Sequence, residues 1–115
     1  MKNSDLTILR KIIQYCTEIE LTLDRFNPTR DEFVSDFVIK NAVAMCILQI
    51  GELVSKLTDE FKAKHTTMPW REIKGMRNIA AHNYGQIDPD ILWETANDDI
   101  SILKEFCIKV IQEIN

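Results

Sequence analysis

Histidine is scarce in this chain, cysteine is isolated, and glycine and proline supply only three residues each of 115. Each scarcity closes off something. With imidazoles only at His65 and His82, and no cysteine near either, a transition-metal site has few ligands to draw on, so no metal and no cofactor is expected. Cys16, Cys46 and Cys107 are odd in number, widely spaced and set in apolar stretches, with no CxxC pair; they read as reduced core thiols. The longest apolar run, AVAMCIL from Ala42 to Leu48, falls far short of the ~20 residues that span a bilayer. The opening MKNSDLTILRKIIQ breaks its apolar positions with charge and has neither the apolar core nor the cleavage pattern of a signal peptide. A cytoplasmic protein that does not engage a membrane is expected. No strand-like alternation, internal repeat or low-complexity tract is visible.

What is present is helical periodicity. A chain of this size suits one domain spanning residues 1–115, able to bury a core without disulfides or a structural metal. Leu6, Leu9, Ile13, Cys16 and Leu23 recur at three- and four-residue steps, with Ile12, Ile19 and Phe26 widening the stripe, and predict a helix from about Ser4 to Phe26. Behind Pro28, Thr29 and Glu32 form a capping-box pattern that opens a second helix running through Phe33, Phe37, Val43, Ile47, Ile50, Val54 and Leu57. Because it is apolar on more than one side between Val38 and Leu48, it is either central in the bundle or buried against a second copy of the chain. After the polar stretch KAKHTT, Pro69 suits the first turn of a short third helix with Trp70, Ile73, Met76 and Ala80 facing inward. Gly85 ends it, and Asp88-Pro89-Asp90 starts a fourth, whose inner face is Leu92, Ala96, Ile100, Leu103, Cys107, Val110 and Ile114. The expected fold class is all-α, an up-and-down antiparallel helical bundle.

Charge is unevenly spread. The chain carries a net −4, yet residues 62–84 hold Lys62, Lys64, Arg71, Lys74 and Arg77 against Glu72 alone, a net +4 that leaves −8 on the remainder. Such a segment can meet a phosphate backbone, or it can be a solvated helix face. Inside it lies RNIAAHNY, Arg77 to Tyr84. Five residues apart on an undisturbed helix, Arg77 and His82 would point roughly 140° apart. If the helix ends near Ala81, His82 leaves that register and can turn toward Arg77. A guanidinium fork suits a phosphate and the charge that builds on it, and an imidazole can take or give a proton near neutrality. Those are the minimum for cutting RNA without a metal. On spacing alone, a surface ion pair for Arg77, a helix C-terminal cap for His82 and core packing for Tyr84 account for the residues as well.

RNIAAHNY also fits the pattern R-x4-H-x-Y with the polar Asn78 after the arginine, and so resembles the signature of HEPN-domain proteins, particularly the HepT-like toxins of HepT–MntA toxin–antitoxin systems. LQIGELVSKL (Leu48–Leu57), MPWREIKGMRN (Met68–Asn78) and IDPDILWE (Ile87–Glu94) are similar to that family's segments in the same order, so that the likeness runs from about Leu6 to Ile111. The resemblance implies an all-helical HEPN-like fold, a homodimer with the motifs of both subunits facing one cleft, and metal-independent endoribonuclease activity on RNA. Arg77 and His82 would be catalytic and Asn78 the supporting polar residue. A cognate minimal nucleotidyltransferase, the MntA-like antitoxin, would transfer AMP to Tyr84 and block the cleft by bulk and charge.

Four further positions call for a reading. Gly51 in mid-helix costs about 1 kcal/mol, which implies a close helix approach. Glu52 either orients an active-site base or is a solvated or ion-paired side chain. Trp70 and Trp93 read as core anchors rather than base-stacking platforms. The second function class for the whole chain is a noncatalytic substrate-binding or regulatory subunit of a nucleotidyltransferase. A purely structural helical adaptor would leave the polar residues of the motif without a task.

Overall fold

A computed structural model of the chain describes residues 2–75 and 88–114. Among these residues the structure is helical without strands: α1 (Asn3–Phe26), α2 (Arg30–Ser35), α3 (Phe37–Ser55), α4 (Asp59–Lys64), α5 (residues 70–75), α6 (Pro89–Glu94), a π-helical segment (Thr95–Asp99) and α7 (Ile100–Ile114). The all-α class stands as expected.

The long helix α1 lies against both α3 and α7, and its stripe explains why. Leu9, Ile12, Cys16 and Ile19 follow one another by three or four residues and all are fully buried. They meet Val43, Ile47, Ile50 and Val54 of α3 and Ile100, Leu103, Cys107 and Val110 of α7 in one core. Lys104 of α7 also donates to Glu20 of α1 across that contact at 2.5 Å. Phe26 is the exception in its stripe: it sits 47% exposed at the helix end, with the Arg25 guanidinium 5.7 Å from its ring centre. Ile114, expected inside, is likewise exposed on the last turn of α7.

The second helix is interrupted. Asp36 takes an extended conformation (φ −93°, ψ 105°), and its carboxylate accepts from the backbone N–H of Val38 at 2.9 Å and of Ile39 at 3.3 Å. A side chain that satisfies the first amides of a new helix ends the old one. The capping box at Thr29 and Glu32 forms as expected, but it starts only the short α2. The break lets Phe33 bury completely beside Trp93, ring centres 5.3 Å apart, while α3 takes its own course along α1. Half of an 18-residue window of α3 is buried; by length and a mean hydropathy of 1.6 this helix could cross a bilayer, and the same composition suits a core helix. On its other face Phe37, Val38 and Met45 are exposed.

Part of the KAKHTT stretch, expected as a connector, is helix. Thr58 caps α4 by accepting from the Phe61 amide at 3.1 Å, and Phe61 is buried. Thr58 is itself held: its backbone N–H and its hydroxyl donate to the buried carboxylate of Asp5 at 2.9 and 2.6 Å. Asp5 thus ties the first turn of α1 to the start of α4. Removing it should cost about 2–3 kcal/mol, because hydrogen bonds to a charged group are lost and a half-buried donor is left without a partner. Asp5→Ala is expected to lower the melting temperature by about 10 °C, with Asp5→Asn falling in between. A thermal melt followed by circular dichroism checks this; an unchanged midpoint would show the tether to be dispensable.

The last helix changes pitch. An α-helix advances about 100° per residue, so the steps from Leu92 to Ala96 to Ile100 would drift round the surface. The N–H of Ile100 bonds to the carbonyl of Thr95, an i→i+5 turn, and this wider turn takes back part of the drift. Leu92, Ala96 and Ile100 therefore all stay buried.

The three cysteines are free and buried, as expected. Burial pushes the thiols of Cys16 and Cys107 up to about 12 and that of Cys46 to about 11, from an ordinary value near 9. In the unfolded chain these thiols ionise first, so the stability they confer is complete below pH 9 and is lost as the pH rises from there toward 12. Denaturant titrations at rising pH should show that decline, shallower in Cys16→Ala. An equal slope in the variant would exclude the thiol as its source.

Candidate functional site

The motif residues Arg77, Asn78, His82 and Tyr84 lie outside the described residues, as do Met76, Ala80, Ala81 and Gly85. What the structure describes is the pair of anchors between which the chain carries them. On the entering side, Pro69 stands just before α5, and its carbonyl accepts the first helical bond, from the Ile73 N–H at 3.1 Å. Proline has no N–H to leave unsatisfied at a helix start. Ile73 is buried, and Trp70 donates from Nε1 to the His65 carbonyl at 2.9 Å.

Trp70 belongs to an aromatic cluster. Its ring lies 5.9 Å from Phe61 and 5.5 Å from Phe106, and the His65 ring lies 4.5 Å from Phe61 and 5.4 Å from Phe106. The rings are tilted against Phe61 and edge-to-face against Phe106, and this packing anchors α5 on α4 and α7. Trp70 is thus engaged in packing, and Trp93, beside Phe33, serves the same purpose on the leaving side. Both tryptophans are core anchors.

On the leaving side the Asp88-Pro89-Asp90 reading holds. The Asp88 carboxylate accepts from the Asp90 N–H at 2.9 Å, Pro89 occupies the first turn, and the Asp88 carbonyl accepts from the Leu92 N–H at 3.1 Å. Arg30 of α2 pairs with Asp90, so the start of α6 is tied to a second element. Both ends of the segment that holds the motif are therefore determined by capping and packing.

Gly75 is helical, and among the described residues nothing lies within 4 Å of where a Cβ would stand. Alanine fits there and lowers the entropy of the unfolded chain. Gly75→Ala is expected to stabilise the protein by about 0.5–1 kcal/mol, which denaturant titration would detect. A loss of stability would mean that the helix needs glycine's freedom at this point.

The charge pattern is partly described. Lys64, Arg71 and Lys74 are exposed and Lys62 is half-buried, and none of the four makes an ion pair among the described residues. Exposed cations of this kind are available to a polyanion. Of the Ile-Gly-Glu step in α3, Gly51 is buried and Glu52 half-buried.

A family model for HepT-like ribonucleases matches residues 9–110. The chain is 34% identical over 106 residues to "Putative RNase TTE0752" of Caldanaerobacter subterraneus subsp. tengcongensis, covering 91% of this chain and 92% of that one. It is 35% identical over 88 residues to "Putative RNase MJ1216" of Methanocaldococcus jannaschii, covering 76% and 73% of the two chains. A third relative, "Probable ribonuclease HepT" of Thermococcus cleftensis, is 35% identical over 74 residues, covering 64% and 67%. No solved structure matches the chain. The matched span takes in the core helices, both anchors and the RNIAAHNY segment between them, and on that ground the chain belongs to the HepT-like ribonuclease family.

Proposed function

We propose that this protein is an endoribonuclease that cleaves RNA without a metal ion, and that it acts as the toxin of a toxin–antitoxin pair. The observation that carries the reading is the family match across residues 9–110, which includes Arg77 and His82 in the R-x4-H-x-Y spacing. The exposed Lys64, Arg71 and Lys74, which precede the motif in the chain, support it, since an RNA strand needs cations to replace its counterions.

In the reaction, the ribose 2′-oxygen attacks the adjacent phosphorus, its proton passes to a base, and the bond from phosphorus to the 5′-oxygen breaks as that oxygen is protonated. The products are a 2′,3′-cyclic phosphate and a free 5′-hydroxyl. His82 serves as the proton-transfer group and the Arg77 guanidinium takes up charge on the phosphorane, with Asn78 as a polar support. The protein acts as a homodimer, paired through the exposed apolar side of α3, so that two motifs share one cleft. A minimal nucleotidyltransferase neutralises it by transferring AMP to Tyr84, which sets bulk and negative charge beside Arg77 and His82. The setting is cytoplasmic.

Purified protein incubated with RNA in excess chelator should yield fragments with cyclic phosphate and 5′-hydroxyl ends, and co-expression with a minimal nucleotidyltransferase of the antitoxin type should add the mass of AMP at Tyr84. Intact RNA under all conditions, together with harmless expression in cells, would replace this reading with that of a noncatalytic subunit of a nucleotidyltransferase.

A further inference from the structure

One groove beside α5 has a character of its own. It runs between α5, with the loop before it, and the rod formed by α6, the π turn and α7, and holds about 470 Å³. Met68, Pro69, Ile73, Ile100 and Leu103 give it apolar walls, while Ile91 and Ile102 stand 52% and 58% exposed along it. Among the described residues that line it, the charged ones are both acidic, Glu72 and Asp99. Residues 88–105 extend that sign, with six acids against Lys104 alone, and Lys104 is engaged with Glu20. Glu94, Asp98, Asp99 and Glu105 are all exposed, and Arg71 and Lys74 of α5 do not line the groove.

These features select an occupant. An acidic rim repels a phosphate backbone, so RNA is disfavoured here even though the neighbouring segment is basic. Ile91 and Ile102 are eleven residues apart on one rod, about 16 Å, which is three turns of a helix laid alongside. Exposed aliphatic anchors at both ends of an apolar floor are what a partner helix covers, and acids beside them favour lysine and arginine on its flanks. We propose that this groove docks one amphipathic helix of a partner protein, its apolar side chains seated over Met68, Ile73 and Leu103 between Ile91 and Ile102, and its basic flanks facing Glu72 and Asp99. The proposal is independent of the ribonuclease reading.

The test uses the full chain and two fluorescent probe helices of about 18 residues, long enough to hold helical structure. One is built from Leu and Lys, the other from Leu and Glu with the same apolar face. The Leu–Lys helix should bind, measured by anisotropy, and weaken at least about tenfold in Ile91→Asp and in Ile102→Asp. It should weaken similarly in the double variant Glu72→Lys with Asp99→Lys, and progressively with added salt. Leu21→Asp, at an exposed position on α1, should bind as the wild type does. Should an isoleucine variant fail to fold by circular dichroism, the charge reversals at exposed positions carry the test. Equal binding of the two helices, or affinity indifferent to the groove substitutions, overturns the proposal. So does a drop in oligomeric state for Ile91→Asp without any peptide, which would assign the groove to a second copy of the chain.

Discussion

Alanine at Arg77 or at His82 is expected to lower RNA cleavage by about a hundredfold or more, while the melting temperature stays within a few degrees of wild type. The magnitude follows from what each side chain is asked to do. A positioned general acid or base typically contributes 10²–10⁴ in rate, and a charged donor aimed at a developing oxyanion about 10²–10³. Arg77→Lys should recover little, because a point charge cannot present the planar fork that a phosphate accepts from guanidinium. His82 further predicts a pH dependence near neutrality that disappears in His82→Ala. Initial rates on a labelled RNA with chelator present are the measurement. Wild-type rates in His82→Ala would remove the histidine from the mechanism, and rates that return only with added divalent metal would replace the chemistry itself.

The second large effect lies on α3. Phe37, Val38, Asn41, Ala42 and Met45 are all exposed and sit at spacings that place them on one side of a helix. Their side is the one turned away from α1, and in a lone chain it leaves three large apolar side chains in water. A two-fold interface would bury each of them twice, at about 1.5–3 kcal/mol per large side chain per subunit. Met45→Asp would instead bury an unpaired carboxylate twice. The dimer constant is expected to weaken by about a thousandfold or more, corresponding to roughly 4 kcal/mol. Sedimentation of wild type and variant over a range of concentrations reads this directly. Cleavage should fall with dimer content if the two motifs share a cleft, so monomeric protein with full activity would separate the dimer from the chemistry. A wild type that stays monomeric at every concentration would leave the apolar side to another partner.

The local rules were legible wherever one residue decides an element. Asp88, Pro89 and Asp90 announce the start of α6, Thr29 and Glu32 the start of α2, and the stripe of Leu9, Ile12, Cys16 and Ile19 the buried side of α1. The misreadings arose where periodicity carried on through a cap. Phe33 and Phe37 are in helical register, so the apolar pattern ran across Asp36, whose carboxylate ends one helix and opens another. The lysines of KAKHTT looked like a connector, although Thr58 and the buried Phe61 were already enough for a helical turn. A Thr followed by two acids and an aromatic was the available signal.

The candidate site divides differently. Its proposed chemistry rests on residue types and spacing, because Arg77, Asn78, His82 and Tyr84 are close in the chain and match a family pattern. What no local rule reveals is which elements hold the ends of that segment. Asp5 and Thr58 are 53 positions apart, and Arg30 and Asp90 are 60, so their pairing depends on how the helices pack.

By itself the sequence determined the all-α class, the buried thiols, the caps and the identity of the motif, since these follow from side-chain chemistry and helical period. Only the tertiary structure decided that α1 lies between α3 and α7, that the apolar surplus of α3 faces outward, and that an acid-rimmed groove runs from Ile91 to Ile102. Burial is a property of pairs of surfaces: a periodic stripe specifies that a helix has an apolar side, and the neighbours alone decide which of those side chains water still reaches.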